Sequence, residues 1–173
     1  MAVNKHAQHI LVLPEDDHNR ELANGFVLCL DSVRARRIQV LQVAGGWLKV
    51  LETFQLDHIA DMDQYPSRFM ILVIDFDNDE RRLAGALSRI PDRLRDRVFI
   101  VGSAKEPQDL VNARLWQHPA ALLAGLGSKL EQIGYALGHD CRENTATTWG
   151  HPLLLANTPE LERLREIVRP IIF

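Results

Sequence analysis

Cysteine is scarce in this chain. There are two, Cys29 and Cys141, in 173 residues, and they lack metal-type spacing. That excludes a disulfide framework. Cys29 lies in "FVLCL" and reads as a buried apolar thiol. A basic surplus is also missing: 20 Lys and Arg stand against 23 Asp and Glu, for a formal net charge of −3. Sequence-independent grip on nucleic-acid phosphates goes with excess positive charge, so this chain alone does not promise it, and a local basic patch or a partner would have to supply it. Long apolar runs are absent as well. No stretch reaches the ~18 residues of a membrane span. The first apolar run is about four residues before Pro14 and three acids, too short for a signal-peptide core. The expected location is the cytoplasm, with no membrane partner. Repeats and low-complexity linkers are missing too. What remains is ordinary for a globular protein, 46% hydrophobic and 25% charged, and long enough to bury a sizeable core without staples.

The apolar runs alternate in kind. "HILVL" at 9–13 is rich in branched side chains and suits a strand buried on both faces. Residues 17–30 follow, with Leu22, Phe26 and Leu30 in a helical stripe. Asp16 or Asp17 can cap that helix, and Gly25 weakens it by roughly 1 kcal/mol relative to Ala. Strands are expected at 36–43, 68–77 and 97–103. Helices are expected at 47–62, at 79–90 before Pro91, and at 106–116 with Pro107 early. Strand followed by helix, four times over, implies a parallel sheet covered on both faces with right-handed crossovers. After residue 116 the pattern weakens. Residues 120–140 look helical with a break at 125–127, 141–152 read as a polar loop, and 158–168 as an amphipathic helix with Thr158 as cap and Pro159 in its first turn. The expected fold is therefore α/β, a Rossmann-like parallel sheet of about four strands flanked by helices. It forms a single domain, 1–173, with its core at about 8–115 and a helical C-terminal extension at about 116–173.

Ligands of open α/β sheets bind beyond the carboxyl ends of the strands, and acids collect there. Glu15, Asp16 and Asp17 end the first strand; Asp75 and Asp77 end the third. If the third strand runs through Asp77, the two aspartates face one side, roughly 6.6 Å apart at ~3.3 Å per residue. Two such charges ~4 Å apart repel by about 4 kcal/mol at an effective dielectric of about 20. A basic neighbour or a hard divalent cation offsets this, and Mg²⁺ takes one or two carboxylates and keeps several waters. Asp16, Asp17 and Asp79 read at least equally well as helix caps and solvated loop residues.

Two families place acids in this way. "ILVLPEDDHNREL" is similar to the opening of a response-regulator receiver domain, in which Asp75 would be the phospho-acceptor and Ser103 the hydroxyl residue. The family's lysine has no clear counterpart, since Lys129 follows "GLGS" with no strand before it, and Asp77 has no role in that scheme. Glu15, then Gly45-Gly46 in "VAGGW", then Asp75-Phe76-Asp77 come in the order of the Toprim domain, the metal-dependent module of topoisomerases, primases and nucleases of the overcoming-lysogenization-defect type. "GSAKEPQDL" resembles the polar run that follows strand four in its nuclease members. The chain departs from the Toprim pattern in having Asp16, not glycine, after Glu15.

The Toprim resemblance implies that Glu15, Asp75 and Asp77 are catalytic and hold Mg²⁺ or Mn²⁺, with Asp79 a further candidate ligand. Gly45, Gly46 and Lys105 are candidate phosphate contacts. Tyr65 and Tyr135 lie far from the expected strand ends, so hydrolysis by water is favoured over strand passage. The implied activity is metal-dependent cleavage of DNA or RNA, or a nuclease-like subunit of an anti-phage defence complex with an ATPase partner or as a homo-oligomer. The competing class is a non-catalytic Toprim-like or receiver-like interaction module. His139, Cys141 and His151 match no standard zinc spacing and read as structural or surface residues.

Overall fold

The computed structural model describes residues 3–155 and 158–173. β1 (His9–Pro14), β2 (Ile38–Val40), β3 (Arg68–Val73) and β4 (Val98–Val101) form one sheet in the order β2-β1-β3-β4, with every pair parallel. The helices are α1 (Asp17–Leu28), α2 (Trp47–Thr53), α3 (Ile59–Gln64), α4 (Glu80–Ser88), α5 (Pro107–Asn112), α6 (Pro119–Leu123), α7 (Lys129–Glu143), α8 (Pro152–Leu155) and α9 (Thr158–Ile172). A π turn, Phe54–His58, joins α2 to α3. The fold is α/β and Rossmann-like, as the alternation implies.

Both sheet faces are covered, which is why the strands read as apolar runs and not as alternations. On one face Leu11, Leu13, Met70, Leu72 and Ile100 pack against Val50, Leu51, Phe54, Met62 and Ala86 of the α2–α4 layer. On the other, Ile10, Val12, Ile71 and Phe99 meet Phe26 of α1 and Leu164, Val168 and Ile171 of α9. A third apolar cluster, including Leu110, Ile133, Leu137, Trp149 and Leu161, joins α5, α7 and α9.

Several boundaries differ from the sequence expectation. β2 shrinks to three residues: a 3₁₀ turn, Arg34–Arg37, occupies its expected start, and residues 41–43 leave the strand after Leu41 N–H bonds the Val12 carbonyl at 2.8 Å. α7 runs past the expected loop start at 141 to Glu143, where Asn144 closes it in a left-handed conformation, φ 57°. α9 continues through Pro170 to Ile172. Thr158, expected as the cap of α9, is itself part of that helix.

The C-terminal helices do the work that a fifth strand would do. The outward-facing Ile100 N–H on edge strand β4 donates to Glu160 Oε2 at 3.1 Å, and Ala104 N–H donates to the Leu153 carbonyl at 2.7 Å. Glu160 is buried, paired with Arg163, whose guanidinium stacks on Phe99 at 5.0 Å. α7 lies directly on α1. A Cβ at Gly25 would sit 2.1 Å from the Glu131 carbonyl oxygen, and one at Gly134 would sit 2.0 Å from that of Leu22. Among the described residues, no helix is long and apolar enough to cross a membrane.

Candidate functional site

The strand order places a topological switch point between β1 and β3, because the chain leaves β1 toward β2 on one side and reaches β3 on the other. Pro14, Val73 and Val101 stand in register at the carboxyl edge. The next residues along each strand form the site. Parallel pairing runs on for a few residues: Glu15 N–H donates to Val73 C=O (2.9 Å), Ile74 N–H to Val101 C=O (3.0 Å) and Phe76 N–H to Ser103 C=O (3.1 Å). Gly102 makes this closeness possible, since a Cβ there would lie 1.6 Å from the Ile74 carbonyl oxygen.

Glu15 and Asp75 are brought together. The Asp75 backbone N–H donates to Glu15 Oε2 at 2.8 Å, and the Trp47 amide that opens α2 also favours the charged form of Glu15. Burial holds the pKa of Glu15 above the usual carboxylate range; the Asp75 amide and Arg82 pull the other way. Asp75 is 6% exposed. Asn19 Nδ2 donates to Asp75 Oδ1 at 3.2 Å and to Asp16 Oδ1 at 3.1 Å. Ser103 Oγ can donate to Asp75 Oδ1 at 3.4 Å or, at the shorter distance of 2.7 Å, to the Lys105 carbonyl. The hydroxyl thus divides its donation between the Asp75 carboxylate, at the longer distance, and the Lys105 carbonyl. Burial pushes Asp75 up to about 7, against the Asn19 hydrogen bond, and Glu15, Asp16 and Asp77 add to the rise. Asn19 and Ser103 also line an apolar cavity of about 100 Å³ under the sheet edge, with Val73, Leu110 and Leu161. Low-polarity surroundings on that side explain why desolvation dominates.

Asp77 takes another course. The chain turns left-handed at Asp77 and Asn78, φ 47° and 55°, so strand alternation ends before it. The expectation of two aspartates on one strand face is corrected here: Asp75 points into the buried pocket with Asn19 and Ser103, while Asp77 pairs at the surface with Arg82, Nη2 to Oδ2 2.6 Å. Arg82 also donates to the Asp75 carbonyl at 2.8 Å and stacks on Trp47 at 5.3 Å. Asp and Asn tolerate left-handed geometry better than most residues, so "DFDNDE" carried a signal for this turn. Glu15, Asp75 and Asp77 do not bring three ligand oxygens within 4.8 Å of one another; the described residues that meet that spacing are His118, His139 and Asp140.

The other candidates fall into place around this centre. Asp16 caps α1, accepting from Asn19 N–H at 2.9 Å. Asp79 caps α4 and pairs with Arg81 Nε at 2.9 Å, which lowers its pKa. Gly45 N–H donates to the Glu15 carbonyl at 2.8 Å, so it is committed within the chain. Gly46 opens α2 at φ 139°, and Lys105 is exposed. Lys129 stacks on Trp116 at 4.8 Å. Cys141 is buried and pushed up to about 12 by desolvation, and His151 Nδ1 accepts the Leu153 N–H. Asn19 and Ser103 are the residues that sequence reasoning missed or left to one side. Both are ordinary polar residues until the sheet brings them to Asp75 across 56 and 28 positions.

The donors that face one another are hard carboxylate oxygens of Glu15 and Asp75, with Asp77 held to one side by Arg82, and Asn19 carries an amide oxygen beside them. That Asn19 oxygen is buried and has no hydrogen-bond partner. With Nδ2 turned to Asp75 and Asp16, that oxygen faces away from the carboxylates, so a cation of the Mg²⁺ type would rest on Glu15 and Asp75 and complete its shell with water. No protein-family model, curated protein or solved structure matches the chain.

Proposed function

We propose that the chain is a Toprim-like, metal-dependent phosphodiesterase acting on DNA or RNA, or the nuclease-like subunit of a larger complex, with its centre at Glu15, Asp75 and Asp77. The observation that carries this reading is the under-neutralised acid cluster at the switch point, where Asp75 is forced up to about 7 beside Glu15. Bound Mg²⁺ or Mn²⁺ would neutralise phosphate charge and lower the pKa of a bound water. Asp75, titrating near neutral pH, holds or releases a proton at its Oδ atoms. Glu15 is kept in orientation by the Asp75 amide. Arg82 supplies the nearest fixed positive charge and can release Asp77. With a net charge of −3, grip on the nucleic acid falls to a partner, and an ATPase in an anti-phage setting is the partner that the Toprim resemblance suggests; self-association is the other route.

The test is cleavage of single- and double-stranded DNA and RNA with Mg²⁺ or Mn²⁺, by wild type and by Asp75→Ala/Asp77→Ala. The wild type cleaves and the double variant loses at least a hundredfold. Absence of metal-dependent cleavage, alone and with the partner recovered from the host, refutes the enzyme.

A second reading, a non-catalytic receiver-like or Toprim-like module, is favoured by Arg82 itself, which already occupies Asp77 and the Asp75 carbonyl. The strand order also suits a receiver. Acetyl-phosphate labelling at Asp75 would favour this module over the nuclease.

A further inference from the structure

We infer that His118, His139 and Asp140 form a second, separate site, for a transition-metal dication of the zinc type. Each contributes one ligand atom, and the three atoms lie within 4.8 Å of one another. Bonds of ~2.1 Å to a shared tetrahedral ion put ligand atoms roughly 3.4 Å apart. Small side-chain rotations therefore close the trio on one point. Two imidazoles and one carboxylate suit Zn²⁺ or Co²⁺ better than Mg²⁺, which prefers oxygen. Three protein ligands leave a fourth position for water.

Three further observations converge on this point. His139 Nδ1 is buried and has no hydrogen-bond partner. Buried ring nitrogens without partners are rare, and a cation supplies the missing one. The His118 and His139 rings stand 5.2 Å apart, tilted by 53°, with no hydrogen bond between them. Asp140, 1% exposed, is held in orientation: Thr145 Oγ1 donates to Oδ1 at 2.9 Å, and the Thr148 and Trp149 N–H groups donate to Oδ2 at 2.5 and 3.3 Å. Hydrogen bonds of this kind orient metal-bound carboxylates, and Oδ1 keeps a lone pair for an ion.

The site is coupled to α6. His118 Nδ1 accepts the Ala120 N–H at 3.2 Å and so caps that helix. Ligation through Nδ1 takes that lone pair, and ligation through Nε2 requires a proton on Nδ1; either way the ion and the cap compete. α6 carries Leu122 and Leu123, 51% and 89% exposed, so the ion would act on a helix with an apolar outer surface.

This centre is distinct from the acid cluster. α1 and α7 run parallel, with Gly25 against Glu131 and Gly138 against Cys29. The acids lie at the start of α1 and the histidines near the end of α7, roughly 18 Å away at ~1.5 Å per residue.

The test uses the untagged full chain, stripped with a chelator and titrated with Co²⁺ and then Zn²⁺. Wild type binds one Co²⁺ with the strong visible absorption of a tetrahedral nitrogen–oxygen site, which Zn²⁺ abolishes; all affinities are read at this absorption, to which Co²⁺ on the oxygen-only acid cluster contributes little. Affinity falls at least tenfold in His118→Asn and in His139→Gln and is unchanged in Asp75→Asn/Asp77→Asn. His118→Asn keeps a residue that caps helices well, and circular dichroism confirms that each variant folds. Failure of the wild type to bind either ion overturns the inference. So does wild-type affinity in both histidine variants, or loss of that absorption in the acid variant instead.

Discussion

At the residue scale, Asp75 keeps a proton at a pH where a free aspartate has lost it. Its folded pKa, about 7, lies above the unfolded 3.8. The folded chain therefore binds that proton more tightly than the unfolded chain does. The resulting stability is fully present below about 3.8 and is lost as pH rises through about 7. Asp75→Asn imitates the protonated side chain and can still accept the Asn19 hydrogen bond. Its advantage over wild type should grow between pH 5 and pH 8 by something on the order of 2–3 kcal/mol, measured by urea unfolding at both pH values. A variant weaker than wild type at pH 8 contradicts the burial argument. Arg82→Gln tests the other side of the cluster. Asp77 and the Asp75 carbonyl lose their partner, so stability at pH 8 drops by about 1–2 kcal/mol. Millimolar Mg²⁺ should restore more of it than it adds to wild type, as a thermal melt would show. The acids themselves were legible in the sequence, because they follow apolar runs directly. The roles of Asn19 and Ser103 were not, because nothing local marks a side chain whose partner lies on another strand.

At the element scale, the strands were the easiest features to read, since burial on both faces concentrates branched apolar residues. Their ends were harder. β3 reads as continuous through Asp77, yet it ends at Val73 and the chain turns left-handed at Asp77, φ 47°, and this changes which acids share a pocket. Gly25 reads as a weak point of α1 but is a requirement of packing, because the Glu131 backbone occupies the place of its Cβ. Gly25→Ala should cost about 3 kcal/mol or more, well beyond the fraction gained from better helix propensity, and chemical denaturation of the variant measures it. The protection of β4 was invisible locally, since Glu160 lies 60 residues beyond Ile100. Glu160→Ala leaves an edge amide and Arg163 without their partner and should cost about 1.5–3 kcal/mol. Faster hydrogen exchange at the Ile100 amide than elsewhere in the sheet would place the loss at that edge; an unchanged Ile100 amide would refute the capping role.

At the scale of the whole molecule, the sheet order explains why one end of the protein concentrates charge. The switch point between β1 and β3 opens a crevice where Glu15 and Asp75 meet, and helices on both faces keep its floor apolar. The alternation of strands and helices revealed this layout. The packing of α7 and α9 depends on contacts across the whole chain, which periodicity does not record. The account rests on the claim that the acid cluster is a divalent-cation site. Titration of the full chain with Mn²⁺, read by electron paramagnetic resonance with Mg²⁺ as competitor, tests it most directly. The expected result is Mn²⁺ binding that Mg²⁺ displaces, weakened at least tenfold in Asp75→Asn/Asp77→Asn and unaffected by His118→Asn. Absence of binding, or binding indifferent to loss of both aspartates, would contradict it.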